Sequence, residues 1–243
     1  KIKFDIISID DDFNLNNIKP DIKINYNNLG NIFGYLKKKN INQVAFLGSI
    51  KKKPLLKIRP NLITIIYLLK IIFLYNRGDG KLIDKIIKIF ESKNINILDP
   101  RIFLKDNLCS KKFNNLIKFK KFLNIIKIKE YFNMAKNFGS TDKGQAIIIC
   151  DGNIVLEEDA NGTDYLIKSF KFIKQYKFSC LVKVSKPQQD IRVDLPTIGP
   201  KTIENMVLAG INAIIVEHQK TFIESPKTTF SIINKNNILF YAV

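Results

Sequence analysis

Gln145-Ala146-Ile147-Ile148-Ile149-Cys150-Asp151-Gly152-Asn153-Ile154-Val155-Leu156-Glu157-Glu158 is the stretch whose reading decides the fold. An Asp-Gly pair between two apolar runs is a strong hairpin signal, because a two-residue type I′ turn needs residues that tolerate positive φ. The pattern predicts a strand over 145–150, a turn at Asp151-Gly152 and a second strand over 154–158.

Working outward, Thr163 is placed to cap an amphipathic helix that carries Leu166, Ile167, Phe170 and Ile173 on one face. A strand over 180–184, a helix over 200–209, a strand over 213–216, a helix over 226–234 and a strand over 238–243 complete an α/β unit. Upstream, 111–138 reads as a basic helix ending at Gly139, a residue suited to a left-handed cap, and as the bridge between two domains. The N-terminal part opens as βαβ: a strand over 2–9, a helix over 28–39 and a buried strand over 43–49. Helices over 61–75 and 80–93 follow, divided by a turn at Asn76-Arg77-Gly78-Asp79, and a strand over 95–98 precedes Asp99-Pro100. The expected class is α/β, with two α/β domains over 1–110 and 111–243, the first Rossmann-like and the second mixed α/β.

With 243 residues, the chain can bury a sizeable core, although length alone leaves one large domain or two small ones open. An apolar share of 46% and a mean hydropathy of -0.03 exclude both a disordered tail and a transmembrane bundle. The formal charge of +18 invites a nucleic-acid reading. Abundant Ile, Asn, Phe, Tyr and Lys point instead to AT-rich coding drift, so most of the basic excess is compositional background. What survives is attraction to anionic lipid headgroups and phosphorylated substrates. The longest apolar run, Leu62 to Tyr75, is broken by Lys70 and is too short to span a bilayer. Peripheral attachment to an anionic membrane surface is therefore expected.

The three cysteines, Cys109, Cys150 and Cys180, have no short spacing and an odd count, which suits a reducing cytoplasm better than a disulfide scaffold. With His218 the single histidine, a His/Cys zinc site is excluded. Any catalytic metal must then be held by oxygen ligands. The first residues lack signal-peptide architecture and an initiator Met, which reads as a chain trimmed or begun inside a longer gene.

Chemistry concentrates in Lys183-Val-Ser-Lys186-Pro-Gln-Gln189-Asp190-Ile-Arg192-Val-Asp194-Leu-Pro-Thr197-Ile-Gly-Pro200, a strand end, a polar loop and a helix start. Loops at strand C-termini of α/β sheets are where ligands bind, and Pro200 in the first helical turn leaves backbone N–H groups for an anion. Asp190 and Asp194 can cap turns, or can hold Mg2+ together with phosphate oxygens while Lys183, Lys186 and Arg192 hold the remaining phosphate charge. Alternation along an extended 192–196 segment puts Arg192 and Asp194 on one side. Asp164 in a first helical turn is favoured by the helix dipole alone, and Glu158 with Gly162-Thr163 is expected to meet the Asp190 loop at one sheet edge.

In order and spacing these pieces resemble the LpxI family. The resemblance runs through Gly144-Gln145, Asp151-Gly152, Glu158, Gly162-Thr163-Asp164, the Lys183 to Pro200 run and Ala209-Gly210, and covers nearly all of 135–243. Upstream, Val44 to Gly48, Pro54, Arg59-Pro60 and Arg77-Gly78-Asp79 are similar to the family's N-terminal domain. Against the family pattern, the chain starts after the usual first strand and Gly-rich loop. Gly80 stands where a second Asp is usual, and Asn161 where a Glu is usual.

The resemblance implies hydrolysis of UDP-2,3-diacylglucosamine to 2,3-diacylglucosamine 1-phosphate and UMP, in lipid A biosynthesis, at the anionic inner-membrane surface on its cytoplasmic face; a homodimer is one assembly it allows. It implies Asp190 and Asp194 as catalytic, and Asp190, Asp194 and Glu158 as ligands of Mg2+ or another hard divalent cation. Lys183, Lys186, Gln189, Arg192, Thr197, Gly162, Thr163 and Asp164 would contact substrate. Helices over 61–93 either accept the acyl chains or form core. Two rivals remain: a non-catalytic lipid- or nucleotide-sugar-binding remnant, which the retained Lys183 to Pro200 run opposes, and an RNA-binding protein using Lys111 to Lys129. The latter lacks stacking aromatics or a reader motif, so no nucleic-acid partner is expected.

Overall fold

The structure, a computed structural model, describes residues 3–9, 19–48, 58–71, 79–115, 123–171, 176–188 and 190–243. The chain divides into two compact units, Lys1–Leu98 and Asp99–Val243. The expected division after residue 110 moves back to 98/99, because 99–115 packs on the second unit. There, Cys109 N–H donates to the Thr221 carbonyl at 2.8 Å and Asn107 Nδ2 to the Ile223 carbonyl at 3.1 Å.

In the first unit, β1 (Ile7–Ile9) pairs in parallel with β2 (Ile22–Ile24). A 3-10 turn at Tyr26–Asn28 leads from β2 into α1 (Asn31–Lys38). Next come β3 (Gln43–Val44), α2 (Leu62–Ile71), α3 (Asp79–Glu91) and β4 (Asn96–Ile97), with β3 parallel to β4. Parallel pairs require crossover connections, which α2 and α3 supply between β3 and β4. The unit buries Ile24, Ile32, Leu36, Phe90 and Ile97, and the Phe33 ring lies 4.6 Å from Tyr67 and 4.9 Å from Phe90. Helix α2 is apolar on all sides, so burying one stripe leaves others outside. It buries Thr64, while Leu62 is 80% exposed and Leu69 62%. Strand β2 was not anticipated, being three residues long with a lysine at its centre.

The second unit opens with short 3-10 turns, and α4 (Ile125–Ser140) follows. The basic helix expected over 111–138 is corrected: Lys111–Phe113 is a 3-10 turn, and α4 starts at Ile125 with the Asn124 side chain accepting from Lys127 N–H. Gly139 lies inside α4, and the left-handed residue is Asp142, at φ 60°. Nor is α4 a bridge. Its Ile128, Tyr131, Ala135 and Phe138 pack on the sheet with Ile147, Ile149, Val182 and Ile215.

That sheet contains β5 (Ala146–Cys150), β6 (Asn153–Glu157), β7 (Ser179–Lys183), β9 (Ala213–Val216) and β11 (Leu239–Ala242), in the order β11-β9-β7-β5-β6. Two further short strands, β8 (Thr197–Ile198) and β10 (Phe222–Ile223), pair in parallel apart from it. Asp151 and Gly152 both have positive φ, 48° and 97°, as the hairpin requires. Helices α5 (Thr163–Phe170), α6 (Pro200–Ala209) and α7 (Pro226–Lys235) cover the other face, with Leu166, Ile167, Ile203, Met206 and Ile233 against Ile148, Leu181, Ile214 and Phe240. Alternate residues of each strand therefore serve opposite layers. Strands β7, β9 and β11 run parallel, and β6 shares their direction because β5 opposes both its neighbours.

The outer edge of β11 is covered by two asparagines. Asn114 exchanges hydrogen bonds with both the N–H (2.7 Å) and carbonyl (3.2 Å) of Ala242, while Asn115 accepts from Phe240 N–H at 2.7 Å and donates to the Ile238 carbonyl at 3.0 Å. The side chains thus do what a further strand would do for an exposed edge. Replacing both by alanine should lower unfolding stability by about 2–4 kcal/mol, at roughly 1 kcal/mol for each net hydrogen bond. Urea unfolding with an unchanged midpoint would count against this role.

Candidate active site

The C-terminal ends of β6, β7 and β9 lie at one end of the sheet, and charged residues follow each of them. On the α5 face, the last residue of β7 is Lys183, which is 6% exposed. Its ammonium donates to Thr163 Oγ1 at 2.9 Å and to the Thr197 carbonyl at 3.0 Å. Thr163 Oγ1 in turn donates to Glu158 Oε1 at 2.5 Å, and Glu158 Oε2 accepts from Gln145 N–H at 2.6 Å. Burial pushes the Lys183 pKa down, while the charges of Glu158, Asp194 and Asp164 push it up.

The backbone is shaped to allow this convergence. A Cβ on Gly144 would lie 2.7 Å from the Glu158 carbonyl oxygen, so only glycine lets the two segments pass this closely. Gly162, at φ 83°, turns the chain into α5 and is its N-cap. The expected capping by Thr163 is corrected, since its hydroxyl is spent on Glu158. Asp164 sits in the first turn of α5, paired with Lys201 Nζ at 3.0 Å, and accepts from Asn205 of α6. Asn161 is tied to Asp159 within its own turn.

On the other side of β7, Lys186 donates to Asp142 Oδ1 at 2.8 Å. Asp190 is clasped by Arg192, which donates through its backbone N–H at 2.9 Å and through Nε and Nη2, at 2.7 Å for the latter. Those bonds hold the Asp190 carboxyl below its usual range. Asp99 and Arg101 form the same Asp-x-Arg clasp. Segment 190–194 is a turn, with Val193 and Asp194 N–H both bonding the Asp190 carbonyl, so the expected extended alternation of Arg192 and Asp194 is corrected. Thr197 contributes its carbonyl to Lys183, while its hydroxyl donates to Leu195. Gln189 lies outside the described residues.

Sequence reasoning missed a second charged network on the α4 face. Glu217, directly after β9 and 6% exposed, accepts from Ser185 N–H at 3.1 Å, Ser185 Oγ at 2.7 Å, Lys136 Nζ at 2.9 Å and Lys220 Nζ at 2.8 Å. The available signal was its position: a lone carboxylate at the C-terminus of an apolar strand, as Lys183 is a lone ammonium at the end of β7.

Among the described residues, no three His, Cys, Asp or Glu side chains converge to hold a metal. Asp190, Asp194 and Glu158 do not form a ligand cage together, because Arg192 takes both oxygens of Asp190 while Gln145 and Thr163 take those of Glu158. The oxygen-donor chemistry suits the other mode of hard cations, in which one or two carboxylates share the ion with substrate phosphates. The three cysteines are buried, and burial pushes their thiols up, Cys109 and Cys150 to about 12. None is an activated nucleophile.

The strand C-terminal ends of this mixed α/β sheet, where ligands of α/β proteins bind, gather a buried lysine, a threonine and carboxylates. Residues 3–107 match the LpxI N-terminal domain and residues 123–241 the LpxI C-terminal domain. The chain belongs to the LpxI family. It is 24% identical over 205 residues to UDP-2,3-diacylglucosamine pyrophosphatase LpxI of Caulobacter vibrioides, covering 82% of this chain and 73% of that protein.

The Glu217 network carries a pH dependence. Burial pushes its carboxyl up, but hydrogen bonds from Lys220, Lys136 and Ser185 and the Lys136 charge outweigh it, lowering the pKa from 4.5 to about 2. A depressed folded-state pKa stabilises fully above the unfolded value and loses that contribution as pH falls through about 2. The difference corresponds to about 3 kcal/mol at ~1.36 kcal/mol per pH unit. Relative to Glu217→Gln, the unchanged protein should keep a constant stability advantage from about pH 8 to 5 and lose it progressively below about 4.5 in urea unfolding. An advantage independent of pH down to about 2 would show that the charge contributes nothing.

Proposed function

We propose that this chain hydrolyses the pyrophosphate of UDP-2,3-diacylglucosamine, releasing UMP and 2,3-diacylglucosamine 1-phosphate, a step of lipid A biosynthesis. The observation that carries the reading is the buried Lys183 ammonium at the end of β7, with Thr163, Glu158, Asp164 and Asp194 around it, in a chain of this family. Water attacks the UMP-side phosphorus. The bond to the bridging oxygen breaks, and the lipid 1-phosphate leaves with the electron pair.

Asp194 orients the water and takes its proton. Lys183 supplies fixed positive charge from below, while Lys186 and Arg192 offset charge on the phosphates. Thr163 keeps Lys183 in place, and Asp164 in the first turn of α5 orients the substrate. Asp194 would hold Mg2+ or another hard divalent cation, which would supply charge neutralisation at the pyrophosphate.

Helix α2 exposes Leu62, Ile66 and Leu69, apolar surface of the kind a lipid bilayer takes up. No helix among the described residues is long and apolar enough to cross a membrane. Reversible association with the cytoplasmic face of an anionic membrane follows from exposed apolar residues and a charge of +18.

Asp194→Asn should lower UMP release by on the order of 10²-fold or more with melting temperature nearly unchanged. A destabilised variant with a near-normal rate per folded molecule would make Asp194 a loop brace instead. Excess EDTA should abolish UMP release by the native chain, and full activity in EDTA would remove the metal from the mechanism. Pelleting with anionic liposomes should fall as salt rises, whereas salt-insensitive pelleting would mean that charge does not drive association.

A further inference from the structure

We infer that Glu217 and Lys136 are positioning residues that fix Ser185 and thereby set the spacing of Lys183 and Lys186, the two lysines assigned to the substrate's phosphates. The inference rests on the pyrophosphatase reading above.

Ser185 lies between those two lysines and is 3% exposed. All three of its polar groups are held by side chains from other elements. Its N–H and Oγ donate to Glu217 Oε2 at 3.1 and 2.7 Å, and its carbonyl accepts from Lys136 Nζ at 2.8 Å. Lys136 Nζ also bonds Glu217 Oε2 directly at 2.9 Å, which closes the network. From this pivot the two lysines diverge, Lys183 to Thr163 of α5 and Lys186 to Asp142 beyond α4.

The arrangement is more than the fold requires. Helix α4 already packs Ile128, Tyr131, Ala135 and Phe138 on the sheet, so it needs no ion pair to dock. A buried ion pair adds little net stability compared with apolar packing, because desolvation offsets the attraction. What it does add is geometric definition at one residue. Phosphate-binding cations must be held to about 0.5 Å, and a displacement of about 1 Å can cost on the order of 10²-fold in rate. Pinning the residue between two such cations at its donor, its acceptor and its side chain meets that demand.

The test is a double-mutant cycle. Glu217→Gln keeps the shape and removes the charge. It should lower kcat/KM for UMP release by about 10- to 100-fold per folded molecule and weaken binding of inorganic pyrophosphate in calorimetry. In a Lys186→Met background the same change should have a much smaller effect, because its route of action is gone. Full multiplication of the two effects, or an unchanged rate in Glu217→Gln, would overturn the inference. If Glu217→Gln alone folds poorly, because Lys136 is left buried without its counter-charge, Glu217→Gln combined with Lys136→Met removes both charges. That variant should regain the native circular dichroism spectrum and stay impaired. Recovery of full activity in it would overturn the inference. A native chain that binds pyrophosphate but releases no UMP would sink the pyrophosphatase reading, and the loss of pyrophosphate affinity in Glu217→Gln would still decide the positioning role. No pyrophosphate binding by the native chain would overturn both.

Discussion

A lysine at the end of a fully buried strand must have its charge answered, and much of the second unit is arranged around that need. Strand β7 is flanked on both sides, and every residue from Ser179 to Lys183 is buried. Its side-chain amine can stay charged there only if hydrogen-bond acceptors and carboxylates surround it. Thr163, the Thr197 carbonyl and Glu158 come from three separate connections: the start of α5, the strand before α6 and the end of β6. Holding Lys183 thus fixes where α5 begins, where the long loop returns and how the hairpin ends. Structural stability and the proposed chemistry draw on the same contacts.

The sheet repeats this device one strand over, with the sign reversed. Glu217 follows β9 as Lys183 ends β7, but the two point to opposite faces because strand side chains alternate. Lys183 is answered by α5 and the loop, Glu217 by α4 and Ser185. The loop from Val184 to Gly199 is tied at its start to α4 and at its end to β10, where Phe222 N–H bonds the Pro196 carbonyl at 2.8 Å. Between these ties the Asp190–Arg192 clasp closes a tight turn. Asp190 is thereby a brace of the loop in this arrangement, and Asp194 carries the stronger claim to chemistry because its charge favours the charged form of the buried Lys183.

Much of this architecture was legible in local sequence. The Asp151-Gly152 hairpin, the apolar strands of the second unit's sheet and the starts of α5 and α6 follow from period, turn chemistry and helix-start residues. They emerged within a residue or two of the expected positions. The stretch before α4 was not legible, because basic residues mixed with Ile and Phe fit a helical period whether or not a helix forms. The extended reading of Arg192 to Pro196 failed for a similar reason. An Asx-type turn at Asp190 competes with an extended chain, and the outcome depends on the clasp with Arg192.

What the sequence by itself determined is therefore the hairpin, the sheet strands and helices α5, α6 and α7 of the second unit and, through the Lys183 to Pro200 run, the family to which the chain belongs. Periodicity and turn residues are short-range properties, and a dense motif keeps its identity at low overall similarity. Only the tertiary structure decided which charges meet. Glu217 lies 81 residues from Lys136 and 32 from Ser185, and no local pattern encodes a contact across such distances. Their meeting depends on β9 lying beside β7 and on α4 crossing that face of the sheet. Strand order and helix placement, set by packing of the whole core, turn isolated charged letters into a site.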